Sequence, residues 1–220
     1  MGSSIIQLLV LAGIAVFLIL RLRSVLGTRE GFEKPRQEIA KPGGRGRRSE
    51  FEVIEGGIDR DISDHVPEKS VLADRLARMK QIEPNFSVTE FLGGSRGAYE
   101  MILMAFENGD LDGVNQFLSD GVADAFRSVI GAREEKGLKI DAQFVGVREL
   151  ELIGVDFDEE SNEGELTVKF VGELASVVRD KAGDIVEGSP NDIKRQRDVW
   201  TFARTMGSSD PNWLLVATAE

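Results

Sequence analysis

The first apolar block of the chain has no polar face. Residues 5–20 read IIQLLVLAGIAVFLIL, with Gln7 the single polar side chain. As a helix this run reaches about 24 Å, against a hydrocarbon core about 30 Å thick. Leu22, between Arg21 and Arg23 that can snorkel to the headgroups, extends the reach. The pattern predicts a transmembrane anchor over 1–23, built from Ile5, Ile6, Leu8, Leu9, Val10, Leu11, Ile14, Val16, Phe17, Leu18, Ile19 and Leu20. A cleaved signal peptide fits less well: MGSS before the run carries no basic residue, and RLRSVLG after it is a poor cleavage site.

Periodicity then disappears. Residues 24–65 mix Gly, Pro and charge, as in KPGGRGRRSE (41–50) and EGGIDRDISDH (55–65). Too little apolar surface is available to offset the entropy of ordering, which predicts a flexible charged linker. Over 66–85 the period becomes helical, with Val71, Leu72, Arg75, Leu76 and Met79 near one stripe. This amphipathic helix has three possible neighbours (its own domain, a partner or lipid), and docking on its own domain is the default expectation.

A stronger helix follows. Ser87-Val88-Thr89-Glu90 is a capping box, and Phe86 and Phe91 sit at the positions of a hydrophobic staple. Leu92, Tyr99, Ile102, Leu103 and Phe106 form its apolar stripe. Gly93, Gly94 and Gly97 are costly in a helix interior, and the expectation is that they let a neighbouring element approach closely. Asn108-Gly109-Asp110 ends this helix and starts a second, with Leu111, Val114, Phe117 and Leu118 inward. A third, capped by Ser119 or Asp120, carries Val122, Phe126, Val129 and Ile130 and stops at Gly137.

After Gly137 the period switches to two. Lys139 to Phe157 reads as one strand or a bent pair, with a bulge at Gly146. The acidic turn DEESNEG leads into ELTVKFVGELASVVRD, where Leu166, Val168, Phe170, Gly172, Leu174 and Val178 share a face. DKAG is a turn, and DVWTFART and NWLLVATA are two further strands joined through Asp210-Pro211. Helices followed by strands predict an α+β domain over 86–220: about three helices on a curved antiparallel sheet of about four strands. Such a sheet tends to enclose a concave apolar cavity.

Charge changes the picture in two ways. The chain holds 27 basic and 38 acidic residues, a net charge of −11, which argues against a nucleic-acid partner. Nine basic residues and three acids lie between 21 and 48, a flank of +6. Positive-inside logic places that flank and the domain beyond it on the cytoplasmic side of an inner membrane, with the N-terminus outside. Arg21, Arg23, Arg45, Arg47 and Arg48 are the candidates for contact with anionic lipid.

Little candidate chemistry remains. With no cysteine and one histidine, His65, thiolate chemistry is excluded and a Ser-His-Asp arrangement would have to use a residue in the linker. The run Asp59-Arg60-Asp61-Ile62-Ser63-Asp64 imitates a calcium loop, but the sixth position lacks Gly and the twelfth is Ser70 instead of Glu. GGSRG has no following Gly-Lys-Ser/Thr and is helical, so it is not a phosphate loop. No metal, cofactor or catalytic residue is expected.

Four stretches resemble a known family: FLGGSRGAYEMILMAFENGD (91–110), FVGV (144–147), VVRDKAGDIVEGSP (177–190) and DVWTFARTMGSSDPNWLLVAT (198–218). Together they are similar to the Tim44-like C-terminal domain of the mitochondrial inner-membrane import machinery, of which bacteria carry membrane-anchored members. The resemblance implies a cone fold like that of nuclear transport factor two, and a non-enzymatic role at a membrane. Its implied partners are anionic lipid such as cardiolipin, a protein partner in the membrane, or a chaperone. The family's long chaperone-contacting N-terminal region has no counterpart in the sequence given. GGSRGAYE is also richer in glycine than the expected Ala-rich segment, so membrane placement transfers better than motor recruitment. Candidate cavity or motif residues are Tyr99, Phe106, Phe144, Val177, Arg179, Trp200, Phe202, Arg204 and Trp213. Arg179, Arg204, Glu187 and Asp198 form either an ion-pair cluster or an anion-holding group.

The reading that follows is a membrane-anchored scaffold presenting its domain to protein partners or lipid, in protein translocation or the assembly of a membrane complex. The alternative is a tethered cone-fold enzyme of isomerase or hydratase type using a cavity carboxylate.

Overall fold

A computed structural model describes residues 59–219. Within them, helices α1 (Arg60–Ser63), α2 (Val71–Ile82), α3 (Val88–Asn108) and α4 (Asp120–Glu135) precede a four-stranded antiparallel sheet. Its strands are β1 (Lys139–Asp158), β2 (Glu163–Arg179), β3 (Ile185–Thr205) and β4 (Leu214–Ala219), ordered β1-β2-β3-β4. The fold is therefore α+β, a meander with helices on one face. The predicted anchor, the basic residues Arg21 to Arg48 and most of the predicted linker lie outside the described residues. No helix among the described residues is long and apolar enough to cross a membrane.

Local signals start the helices. Ser87 Oγ accepts from the Glu90 N–H at 3.2 Å, and Ser119 and Ser70 cap α4 and α2 in the same way. Gly109, at φ 75°, closes α3 with N–H bonds to the carbonyls of Ala105 and Phe106. The expected helix over 110–118 does not form. Only a 3-10 turn, Asn115–Phe117, is present, because Leu118 is drawn out into an extended bridge with Leu215. The Ser119 N–H then bonds Leu215 O.

The alternation in β2 is what builds the core. Leu166, Val168, Phe170, Gly172 and Leu174 point to the helices and are buried. Directly paired residues share a face, so Leu152 and Trp200 flank Val168, and Val155 and Phe202 flank Leu166. The opposite face carries a charged ladder in which Lys169 meets Glu151 and Arg195 meets Glu173. β1 is a single strand with register shifts at Phe144/Gly146, Val147/Glu149 and Leu152/Gly154, the first at the predicted bulge. Each shift bends the strand.

Two expectations are corrected. Residues 59–65 fall in the predicted linker, yet α1 is folded against the domain: Ile62 is buried, and Asp61 accepts from the N–H groups of Val88 and Thr89 at 2.7 and 2.9 Å. His65 bonds Thr89 Oγ1 at 2.9 Å instead of standing free in solvent. The acids of the false calcium loop thus serve as a second cap on α3, with Lys80 bridging Asp59 and Asp61. Second, Gly93, Gly94 and Gly97 admit no neighbour, since a Cβ at any of them would meet nothing within 4 Å. The close approaches occur in the sheet, at Gly172 beneath Tyr99 and at Gly164 beneath Met79. The predicted amphipathic helix does dock on its own domain, with Leu76 and Met79 fully buried.

Candidate functional site

α3 lays Tyr99 into the centre of the sheet. Its ring stacks on Phe170 at 4.4 Å and 8° between planes, and lies 4.8 Å from Trp200 and 6.1 Å from Phe144. Phe202 continues the row to Phe91, which packs on Trp213 at 4.8 Å. Phe106, in the last turn of α3, packs on Phe126 of α4 at 4.6 Å, with the Arg133 guanidinium 4.3 Å from its ring centroid. Five of the nine candidate positions (Tyr99, Phe144, Trp200, Phe202 and Trp213) therefore join one aromatic seam under the helices, while Phe106 forms a separate pair with Phe126. Tyr99, Trp200 and Phe202 are almost completely buried. The expected concave cavity is filled by these rings, and surface depressions lie elsewhere, beside Gly109 and Arg127 and beside Asp156 and Glu163.

A charged side chain, Asp198, is sealed inside. Tyr99 Oη donates to Asp198 Oδ2 at 2.5 Å, and Gln196 Nε2 donates to Oδ1 at 3.0 Å. Burial pushes the Asp198 carboxyl up, and the two bonds only partly oppose it. Burial and the neighbouring carboxylate push the Tyr99 phenol far up, so it stays a neutral donor. Glu107 is also raised, by burial first and then by the charge of Asp198, despite Arg133 at 3.9 Å. A raised buried carboxyl is what an acid–base enzyme of this fold would need. Here both Asp198 oxygens are taken and the residue is only 6% exposed, which leaves no face for a substrate.

A second polar contact sits at the far end of the seam. Arg204 Nη2 donates to Glu83 at 2.6 Å, and the guanidinium lies 5.1 Å from the Trp213 ring. Glu83 also accepts from the Gly207 N–H; burial opposes ionisation, but these bonds outweigh it and hold the carboxyl below its ordinary value. Arg179 is elsewhere, bonded to Asp141 at 3.0 Å and to Gly183 O at the opposite end of β2. Arg204 pairs with Gly164 and Arg179 with Ile185, about 50 Å apart along the strand, so the expected four-residue ionic cluster does not assemble. Val177 is buried in the sheet between Asp141 and Gly188. Gln196, Glu107, Arg133 and Glu83 were not anticipated. Gln196 alone had a sequence signal, since its i, i+2 spacing puts it on the same face as Asp198.

The order of elements, the DKAG and DPN turns and the Trp200–Trp213 seam all fall within one stretch, and the family model described as Tim44-like domain matches residues 72–220. The chain belongs to the Tim44-like domain family. A relative is the human mitochondrial import inner membrane translocase subunit TIM44, 22% identical over 144 residues, covering 65% of this chain. The match spans about a third of the human protein's length, 31%. Among solved structures, the intermembrane space region of the chloroplast protein ARC6 aligns with 65% of this chain and 93% of its own. Its identity is 10% and its TM-score 0.32, too low for the likeness to bear on the fold. The chain has no cysteine, and no group of three or more His, Asp or Glu among the described residues is placed to hold a metal.

Proposed function

We propose that the chain is a membrane-tethered scaffold that presents its Tim44-like domain to protein partners or anionic lipid, cardiolipin included, on the cytoplasmic side of an inner membrane. The observation that carries this reading is the closed interior. Rings and one satisfied Tyr99–Asp198 pair fill the concave face, so recognition falls to the outer surface. The apolar run over 5–20 and its +6 flank supply the tether and its orientation. The human relative is named as a subunit of an inner-membrane import translocase, and a place beside a membrane complex is the part of that description adopted here.

The test is fractionation of the full chain with carbonate extraction, beside a variant carrying Ile14→Arg and Leu18→Arg. Retention of the native chain in the membrane pellet and release of the variant are expected, because each arginine at mid-bilayer costs about 2.5–3.5 kcal/mol. A phosphatase fusion at the C-terminus should be inactive, and cross-linking in native membranes should capture a partner or lipid. Carbonate-soluble native chain, or an active phosphatase fusion, overturns the tether or its orientation.

A further inference from the structure

The sheet has two outer edges, and the protein treats them differently. Along β1 the helices reach over and take backbone acceptors: Arg75 Nη1 donates to Val155 O at 2.7 Å and Arg96 Nη1 to Val147 O at 3.0 Å. Such covering keeps an edge from pairing with another chain. On the other side, β4 covers β3 only from Val199 to Ala203. Residues 185–198 of β3 have β2 on one side and no strand on the other among the described residues. The excursion Ser189–Asp192, which contains Pro190, interrupts the first part of this edge, where the register jumps from Val177↔Gly188 to Ala175↔Ile193. From Ile193 to Asp198 the pairing with β2 runs without a shift.

That regular stretch has a distinct surface. Ile193 is 54% exposed, and it shares the outer face with Arg195 and Arg197, which pair with Glu173 and Val171. Arg195 shares Glu173 with Arg148, and Arg197 and Lys194 have no ion-pair partner among the described residues. A basic edge with one apolar position is a local exception in a chain of net charge −11.

We propose that Ile193–Asp198 is a strand-docking edge that takes an acidic, extended segment of a protein partner. The segment would lie in the row that β4 begins and bond through its backbone. It would set carboxylates across from Arg195 and Arg197 and an apolar side chain across from Ile193. A second copy of the same edge is disfavoured, because antiparallel self-pairing sets arginine against arginine. The inference rests on the scaffold reading and names the chemistry of its partner.

The test uses the full chain in detergent micelles and two labelled eight-residue peptides, one alternating glutamate and valine, the other lysine and valine. The glutamate peptide should bind, the lysine peptide at least about tenfold more weakly. Hydrogen exchange of the amides over 193–198 should slow on binding. The pair Arg195→Glu with Arg197→Glu should weaken binding by about tenfold or more, and Arg195→Lys with Arg197→Lys should retain most of it. If the reversed pair does not fold, as judged by tryptophan emission, the lysine peptide and the lysine pair decide. Equal affinity for the two peptides, or binding without slowed exchange at 193–198, overturns the proposal. So does slowing of the same amides by raised protein concentration or by anionic vesicles without peptide. Fractionation is not involved, so a failed tether and a failed edge give different results.

Discussion

Tyr99→Phe isolates the buried hydrogen bond between the Tyr99 hydroxyl and Asp198. The ring keeps its stack on Phe170 and its contact with Trp200, while the hydroxyl that donates to Asp198 at 2.5 Å is lost. A hydrogen bond to a charged group contributes about 1.5–3 kcal/mol, and its buried partner is left without one donor. Gln196 still serves the other oxygen, so a cost of about 2 kcal/mol is expected at neutral pH. With a urea slope of about 2 kcal/mol/M, the midpoint falls by about 1 M. Trp200 and Trp213 both belong to the aromatic seam, so tryptophan emission during urea titration of the full chain in detergent reports the change. The pH dependence is the sharper test. Burial already raises the Asp198 carboxyl in the folded state. The folded form therefore holds its proton where the unfolded chain has lost it, and stability falls as pH rises through the folded value. Removing the hydroxyl raises that value further. The penalty should be largest at neutral pH and shrink as pH falls toward the ordinary carboxylate value of 3.8. A penalty below about 0.5 kcal/mol, or one independent of pH, would show that the bond does not hold the carboxylate in the way described.

Gly172→Ala should cost about 1–3 kcal/mol in the same titration, since its Cβ would lie 2.6 Å from Tyr99 Oη. Gly94→Ala should instead add about 0.5–1 kcal/mol, because the site is helical and open; a loss would mean that something packs there. Asp61→Ala should cost about 1–2 kcal/mol by uncapping α3. Burial opposes the Asp61 charge, but Lys80, Thr89 and Val88 outweigh it and depress the carboxyl strongly. Its contribution is present above the ordinary carboxylate value and lost as pH falls through the folded one. The variant should therefore show a flatter acid limb by fluorescence.

What the sequence disclosed was the local part of the fold. The N-cap at Ser87, the stop at Gly109 and the alternation from Leu166 to Leu174 each depend on neighbours within a few residues, and each is found where it was expected, although Glu90 does not return the second bond of a capping box among the described residues. What it concealed was set by distant partners. Asp61 is acidic and follows a polar run, so composition places it in a linker; it becomes a cap only because Val88 and Thr89, 27 and 28 residues on, present unpaired N–H groups to it. Leu118 has helical spacing but yields to a bridge with Leu215. The aromatic members of the seam were legible as core, since large rings at strand and helix spacing have few other places to go. That they would fill the concave face of the sheet was not, because filling depends on the fit of Tyr99 over Gly172. The basic half of β3 was missed for a related reason. Ile193-Lys194-Arg195-Gln196-Arg197 shows no apolar alternation, and only pairing with β2 makes it a strand. A segment that is extended without an apolar face of its own owes its conformation to one neighbour. The unpaired side of its backbone then keeps its hydrogen-bonding capacity for a second, and that is why the least legible strand is also the one assigned a partner.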